Sequence, residues 1–171
     1  MKRNMIMAGV LAAMVCMATS FLHIPIVGGG YVHLGDTIIY LTAALLPTPY
    51  AVAAAAVGAG LADVLVAPLW APFTVVIKAV MALTFTAKEE RFLCRRNVYA
   101  PFLAGVIGVA GYYVAEVAIL WLSDSELATA AVAAVAAIPF NALQEVAGGA
   151  AFLLLAAAMD RLNIKQRLRK F

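Results

Sequence analysis

Polar side chains that could do chemistry lie inside otherwise apolar stretches of this 171-residue sequence. They are Asp63, Lys78, Glu116, Asn141, Gln144 and Glu145. Such stretches are typical of membrane spans, where a central charge costs about 2.5 to 3.5 kcal/mol on insertion scales. Each of these side chains should therefore face protein or water, and together they offer hydrogen bonds and charge to a polar ligand.

The last apolar stretch carries a polar helix face. Asn141, Gln144, Glu145 and Gly148 follow the spacing i, i+3, i+4, i+7, which puts two amides and a carboxylate on one face just after Pro139. That face can hydrogen-bond a ligand, or it can join helices of the bundle. We expect ligand binding at Asn141 and Gln144, and both roles stay open for Glu145.

The preceding apolar stretch places an aromatic ring beside a carboxylate. Tyr112 and Glu116 are four residues apart and share one helix face, while Tyr113 points to a neighbouring face. A ring and an acceptor together suit a nitrogen heterocycle, which can stack and donate. Tyr112 and Glu116 are therefore candidate ligand contacts.

Lys78 is the one basic residue within a predicted span. It either forms an ion pair with Glu116, Asp63 or Glu145, or donates to the ligand. For Asp63, which lies among small residues, we expect a structural contact. Trp70 should lie at the outer surface, as a membrane-interface anchor or as a lid over a pocket.

Motifs of enzymes are missing. The sequence contains no H-E-x-x-H, C-x-x-C or G-x-S-x-G motif and no G-x-x-x-x-G-K-[ST] phosphate loop. Its two histidines, His23 and His33, are too few for a histidine-rich metal site, and Cys16 and Cys94 lie far apart in sequence. We therefore expect no enzyme activity, no cofactor and no metal.

The composition indicates an integral membrane protein. Hydrophobic residues make up 65% of the chain and charged residues 12%, and the mean hydropathy is +0.98. A span needs about 20 apolar residues, so five or six spans use up the chain. The predicted fold class is all-α: a polytopic bundle of six transmembrane helices.

We expect residues 1–171 to form a single membrane domain. The predicted spans are 4–22, 34–47, 50–67, 72–87, 99–122 and 127–159. Residues 23–36 form an extracellular loop, and residues 88–97 and 161–171 are cytoplasmic. The apolar start of the chain resembles a signal peptide, but we expect it to stay as the first span.

Charge placement favours six spans over five. The stretch 37–47 is short, so it could instead form one long helix with residues 51–67, which gives five spans. With six, all of the twelve Lys and Arg residues except Lys78 fall on one side, as the positive-inside rule requires. Both termini are then cytoplasmic, and the short second helix must be extended by residues 31–36 or shielded by its neighbours.

Taken in order, these segments resemble the substrate-binding S components of energy-coupling factor (ECF) vitamin transporters. The resemblance is to the branch that includes transporters for riboflavin, pyridoxine and hydroxymethylpyrimidine. It covers nearly the whole chain and lies in the segments Ala8 to Ala13, Gly30 to Asp36, Gly60 to Asp63, Trp70 to Lys78, and Ile138 to Asn141 with Gln144.

The resemblance implies a prokaryotic plasma-membrane protein whose first extracellular loop, with Tyr31 and His33, caps a pocket formed with the last three helices. It implies as partners a transmembrane T component and two ATPase subunits. The family's small-x-x-x-small motif, which docks on the T component, falls on Ala8 and Ala12, with Gly9 and Ala13 as an offset alternative. The expected ligand is a neutral or weakly cationic heteroaromatic vitamin.

Two other classes of function compete with this interpretation. A small proton-coupled secondary transporter could use Asp63, Glu116 and Lys78 as a relay and would need no partner. A structural or assembly membrane protein would bind no small molecule tightly.

Overall fold

Helices joined by short connections account for most of the chain. The computed structural model describes residues 1–25 and 31–170. The helices are α1 (Lys2–Phe21), α2 (Gly35–Leu45), α3 (Thr48–Val66), α4 (Ala71–Ala82), α5 (Arg95–Leu122), α6 (Leu127–Ala134), α7 (Ile138–Arg161) and α8 (Ile164–Lys170). A 3-10 turn, Val135–Ala137, joins α6 to α7, and the short strands β1 (His23–Pro25) and β2 (Tyr31–His33) form an antiparallel hairpin.

The segment after the hairpin contains two helices rather than one. Leu46 and Pro47 both have extended backbone angles, and Pro47 cannot donate a helical hydrogen bond. These two residues end α2 and start α3. The alternative of a single long helix over this segment is therefore wrong.

Four helical stretches in the described part of the chain are long and apolar enough to cross a membrane. They are Lys2–Phe21, Thr48–Val66, Arg95–Leu122 and the combined stretch Leu127–Arg161. With α2 and α4, which are apolar but shorter, they make an all-α, multi-pass membrane protein.

The short helices α2 and α4 depend on their neighbours. At 1.5 Å per residue, the 11 residues of α2 reach only about 16 Å, roughly half the hydrocarbon thickness. Buried residues occupy almost all sides of α2, which packs against α1, α3 and α7. The neighbouring helices therefore shield the polar residues Asp36 and Thr37, at the start of α2, from lipid.

Several helix ends differ from the predicted spans. The apolar run predicted to continue to residue 87 leaves the helix after Ala82, because Leu83 to Thr86 turn back towards α5. Arg96 and Asn97 stabilise this turn: the Arg96 guanidinium donates to the carbonyls of Leu83 and Thr84, and Asn97 bonds both backbone groups of Thr86. Helix α5 consequently begins at Arg95, earlier than predicted.

Helix α1 packs closely against α3 at Gly58. A Cβ atom there would lie 2.5 Å from the Ala12 carbonyl oxygen and 2.8 Å from the Val15 Cβ. Only glycine permits this approach. Close packing of this kind stabilises helix association in a bilayer, where the hydrophobic effect does not drive helices together.

Candidate functional site

A buried ion pair joins α2 to α4. The Lys78 Nζ lies 2.6 Å from Asp36 Oδ1, and both side chains are fully buried. Glu145 Oε1 of α7 lies 3.7 Å from the same Nζ. One cation and two carboxylates thus meet where α2, α4 and α7 converge, and Lys78 supplies the counter-charge that makes their burial tolerable.

Gln144 connects this ion pair to the hairpin. Its Nε2 donates to Asp36 Oδ2 at 2.8 Å, while its Oε1 accepts the backbone N–H of His33 at 3.2 Å. The His33 Nδ1 in turn accepts the N–H of Gly35 at 3.0 Å. The hairpin is therefore anchored directly over the charged cluster.

Burial shifts the titration of the anchoring histidine. Desolvation is the main cause that lowers the pKa of His33 to about 4, and Lys78 adds to it, although Asp36 opposes it. Nδ1 accepts from Gly35 only when the imidazole is neutral and carries its proton on Nε2. The loop contact is therefore formed by the uncharged ring.

Glu145 is held by contacts on two sides. The Tyr40 hydroxyl donates to its Oε2 at 2.5 Å. On the other side α5 passes so close that a Cβ on Gly108 would collide with the carboxylate. Glu145 is 5% exposed, so its position is fixed by packing as well as by charge.

An aromatic pair borders the cluster on the side of α4 and α5. Lys78 Nζ lies 5.1 Å from the centre of the Tyr112 ring, and the Tyr112 hydroxyl shares a hydrogen bond of 3.2 Å with Thr74. The Trp70 ring centre is 6.0 Å from that of Tyr112. Both rings are partly exposed, so they remain able to stack on another molecule.

The structure brings together Lys78, Gln144, Glu145, Tyr112, Trp70 and His33 of the predicted site. Asn141 lies one turn before Gln144 on α7 and is half-buried. Its side chain makes no hydrogen bond to a described residue, so it remains available. Tyr31 lies in β2, but the predicted contact of its side chain falls outside the described residues.

In the described part of the chain, neither Glu116 nor Asp63 forms an ion pair with Lys78. Within the described residues, the ion pairs of Lys78 are those to Asp36 and Glu145. Glu116 lies one turn beyond Tyr112 and is partly exposed, and Asp63 is buried on α3. The hypothetical relay of Asp63, Glu116 and Lys78 is thus not assembled as a chain of ion pairs.

Sequence reasoning missed Asp36, which pairs with Lys78, and Tyr40, which bonds Glu145. Asp36 is the last residue of the predicted loop, but it lies in the first turn of α2, where an acid interacts favourably with the helix dipole. An acid at the start of an apolar run is therefore a usable signal. Tyr40 gave no such signal, because a tyrosine in an apolar helix looks like a core residue.

The small residues of α1 fall on two different faces. Ala8 and Ala12 are buried in the chain's own bundle, where Ala12 meets Gly58. Gly9 and Ala13 are exposed, and nothing lies within 4 Å of where a Gly9 Cβ would be. The outward face of α1 therefore carries the offset pair.

Comparison with known proteins decides the family. The family model described as "ECF-type riboflavin transporter, S component" matches residues 1–161. The chain belongs to this family. A curated protein of Pyrococcus woesei, described as "Uncharacterized protein in gap 3'region", is 35% identical over 102 residues, which cover 57% of this chain and 68% of that protein.

Membership in the S component family fixes the general class of function. S components are membrane-embedded subunits of transporters and are not enzymes; they bind a vitamin and associate with T and ATPase subunits. The chain is therefore a multi-pass membrane protein of a vitamin transport system.

Proposed function

We propose that this chain captures a small heteroaromatic vitamin or vitamin precursor, such as hydroxymethylpyrimidine, pyridoxine or riboflavin, for ATP-driven import by an ECF complex. The observation that carries the proposal is the polar cluster of His33, Asp36, Lys78, Gln144 and Glu145, anchored beneath the hairpin in an otherwise apolar bundle. Apolar bundles do not bury such groups without a role, because each one is costly in lipid.

The residues of this cluster and those beside it divide into a scaffold and a binding surface. Lys78 and Gln144 are buried and both bind the buried Asp36 carboxylate, so these three residues position the surrounding elements. Asn141, Tyr112 and Trp70 are partly exposed and form the surface that a ligand contacts. Glu116 lies one turn beyond Tyr112 on α5 and is the proposed acceptor for an N–H group of the ligand ring.

The charges of the cluster select the ligand. Lys78 is its one cation among the described residues, and two carboxylates already neutralise it. A neutral or weakly cationic ring can stack on Tyr112 and Trp70, whereas a multiply charged anion would find no free counter-charge.

The hairpin is the cover of the site. Among the described residues, its contacts to the helices include the His33 N–H donating to Gln144 Oε1, the Gly35 N–H donating to His33 Nδ1, and the His23 ring bonding the Ser20 carbonyl. We propose that the ligand enters from the extracellular side as the hairpin lifts. Both termini and the turn between α4 and α5 are then cytoplasmic, and six helical passes cross the prokaryotic plasma membrane.

Outward-facing Gly9 and Ala13 form the proposed contact with the T component. Small residues let a second helix approach closely, and this face is the part of the small-residue stripe not used by α3.

Two measurements on the same preparation test the proposed function. Native mass spectrometry of the protein purified from vitamin-rich medium should show a bound metabolite of one mass. Cells that produce the chain with a T component and active ATPases should accumulate that vitamin, and cells with hydrolysis-deficient ATPases should not. Uptake into liposomes by the pure protein, driven by a pH gradient alone, would contradict the proposal.

A further inference from the structure

A concave surface lies where α4 ends and α5 begins, away from the cluster under the hairpin. It encloses about 700 Å³, is open to solvent, and is lined by Thr86, Lys88, Glu89, Cys94, Arg95, Arg96 and Tyr99. Three cations and one carboxylate leave its lining with a net positive charge. None of these residues belongs to the cluster under the hairpin.

Hydrogen bonds hold the backbone around this cavity. Arg96 Nε and Nη2 donate to the carbonyls of Thr84 and Leu83 at 2.8 and 2.7 Å. Asn97 fixes the backbone of Thr86 from behind with bonds of 2.8 and 2.9 Å. A site whose groups are already ordered loses less entropy when it binds a ligand.

An apolar strip runs from the cavity along the outer face of α5. Tyr99, Phe102 and Val106 follow the spacing i, i+3, i+7 and are 69%, 79% and 52% exposed. In a membrane protein such a strip faces acyl chains, and a tyrosine at its end marks the level of the headgroups. The cationic lining of the cavity therefore lies next to an exposed apolar surface.

We propose that this cavity binds the phosphate headgroup of an anionic lipid, with Lys88 and Arg95 contacting the phosphate and the acyl chains lying along Tyr99, Phe102 and Val106. The adjoining apolar strip favours a lipid over a soluble phosphate, because a soluble phosphate would leave the strip unused. Positively charged loops adjoin the cytoplasmic leaflet, whose anionic lipids attract them. The proposal rests on membrane insertion and is independent of the vitamin.

Native mass spectrometry of the full-length protein in detergent tests this site. The probes are phosphatidylglycerol and phosphatidylcholine with identical acyl chains. The variant Lys88→Gln/Arg95→Gln removes two cavity cations, and Arg91→Gln/Arg167→Gln removes two exposed cations outside it. Arg96 is left intact because it stabilises the α4–α5 turn.

We expect phosphatidylglycerol to bind the cavity variant about tenfold more weakly or worse, and the control variant as it binds the wild type. Equal losses in both variants, or equal binding of both lipids to the wild type, would overturn the proposal. If the double variant does not fold, Lys88→Gln alone takes its place, and unchanged binding of phosphatidylglycerol to it would overturn the proposal. Glycerol phosphate without acyl chains should bind far more weakly than the lipid; equal affinity would overturn the lipid assignment in favour of a soluble phosphate.

Discussion

Because its ion pair with Asp36 is fully buried, Lys78 should contribute to the stability of the folded protein. Lys78→Met leaves the Asp36 carboxylate buried without its cation, which should cost about 3 to 5 kcal/mol. Lys78→Met/Asp36→Asn removes both charges and keeps an acceptor for Gln144, so it should recover much of that loss. Thermal unfolding of the purified variants measures both effects. A single variant as stable as the wild type would show that the pair is not formed.

Asn141 and Gln144 should respond differently to truncation. Asn141→Ala should weaken vitamin binding by about 1 to 3 kcal/mol and leave the unfolding temperature unchanged, because its side chain bonds no described residue. Gln144→Ala should lower both the vitamin affinity and the unfolding temperature, because it leaves Asp36 Oδ2 and the His33 N–H without their hydrogen bonds to Gln144. Isothermal titration and thermal unfolding separate the two outcomes. Full affinity in both variants would remove this helix face from the site.

His33 should make the stability of the protein depend on pH. Its folded pKa of about 4 lies below the ordinary value of 6.5, so the unfolded chain takes up a proton first as the pH falls. The stabilisation is complete above pH 6.5 and is lost as the pH falls towards 4. The drop in unfolding temperature across this window should be smaller in His33→Gln. Parallel curves for the two proteins would contradict a neutral, buried His33.

At the scale of elements, α1 presents one small-residue face to α3 and another outward. Gly58→Leu should prevent folding, since a Cβ there would already collide with Ala12 and Val15. A Cβ at Gly9 would meet no atom within 4 Å, so in Gly9→Leu we expect fold and vitamin binding to persist while assembly with the T component is lost. Co-purification with the T component measures assembly, and titration with the vitamin measures ligand binding, for each variant. Normal assembly of Gly9→Leu would exclude this face as the partner contact.

At the scale of the whole molecule, the proposed six-pass arrangement predicts which groups share a side of the membrane. With Cys16 replaced by alanine, the native Cys94 and an introduced Lys2→Cys should react with an impermeant maleimide in inverted vesicles only. Ser123→Cys, exposed in the turn after α5, should react in intact cells. Labelling of Cys94 and Lys2→Cys from opposite sides would contradict six passes.

Hydropathy and residue type alone determined the all-α membrane class, the positions of the apolar runs and most of the candidate side chains. These properties are local, because a polar group in an apolar run is costly whatever surrounds it. The family resemblance could likewise be seen in short segments along the chain.

Only the tertiary structure decided which residues are partners. Periodicity puts Gln144 and Glu145 on one face, but the rotation and neighbours of that face depend on packing, so Asp36 was not expected to pair with Lys78. The same holds for α1, where Ala8/Ala12 and Gly9/Ala13 have identical spacing and are offset by about 100° around the helix. The close approach of Gly58 to Ala12 settles which pair faces the bundle, because the glycine that permits it lies on another helix.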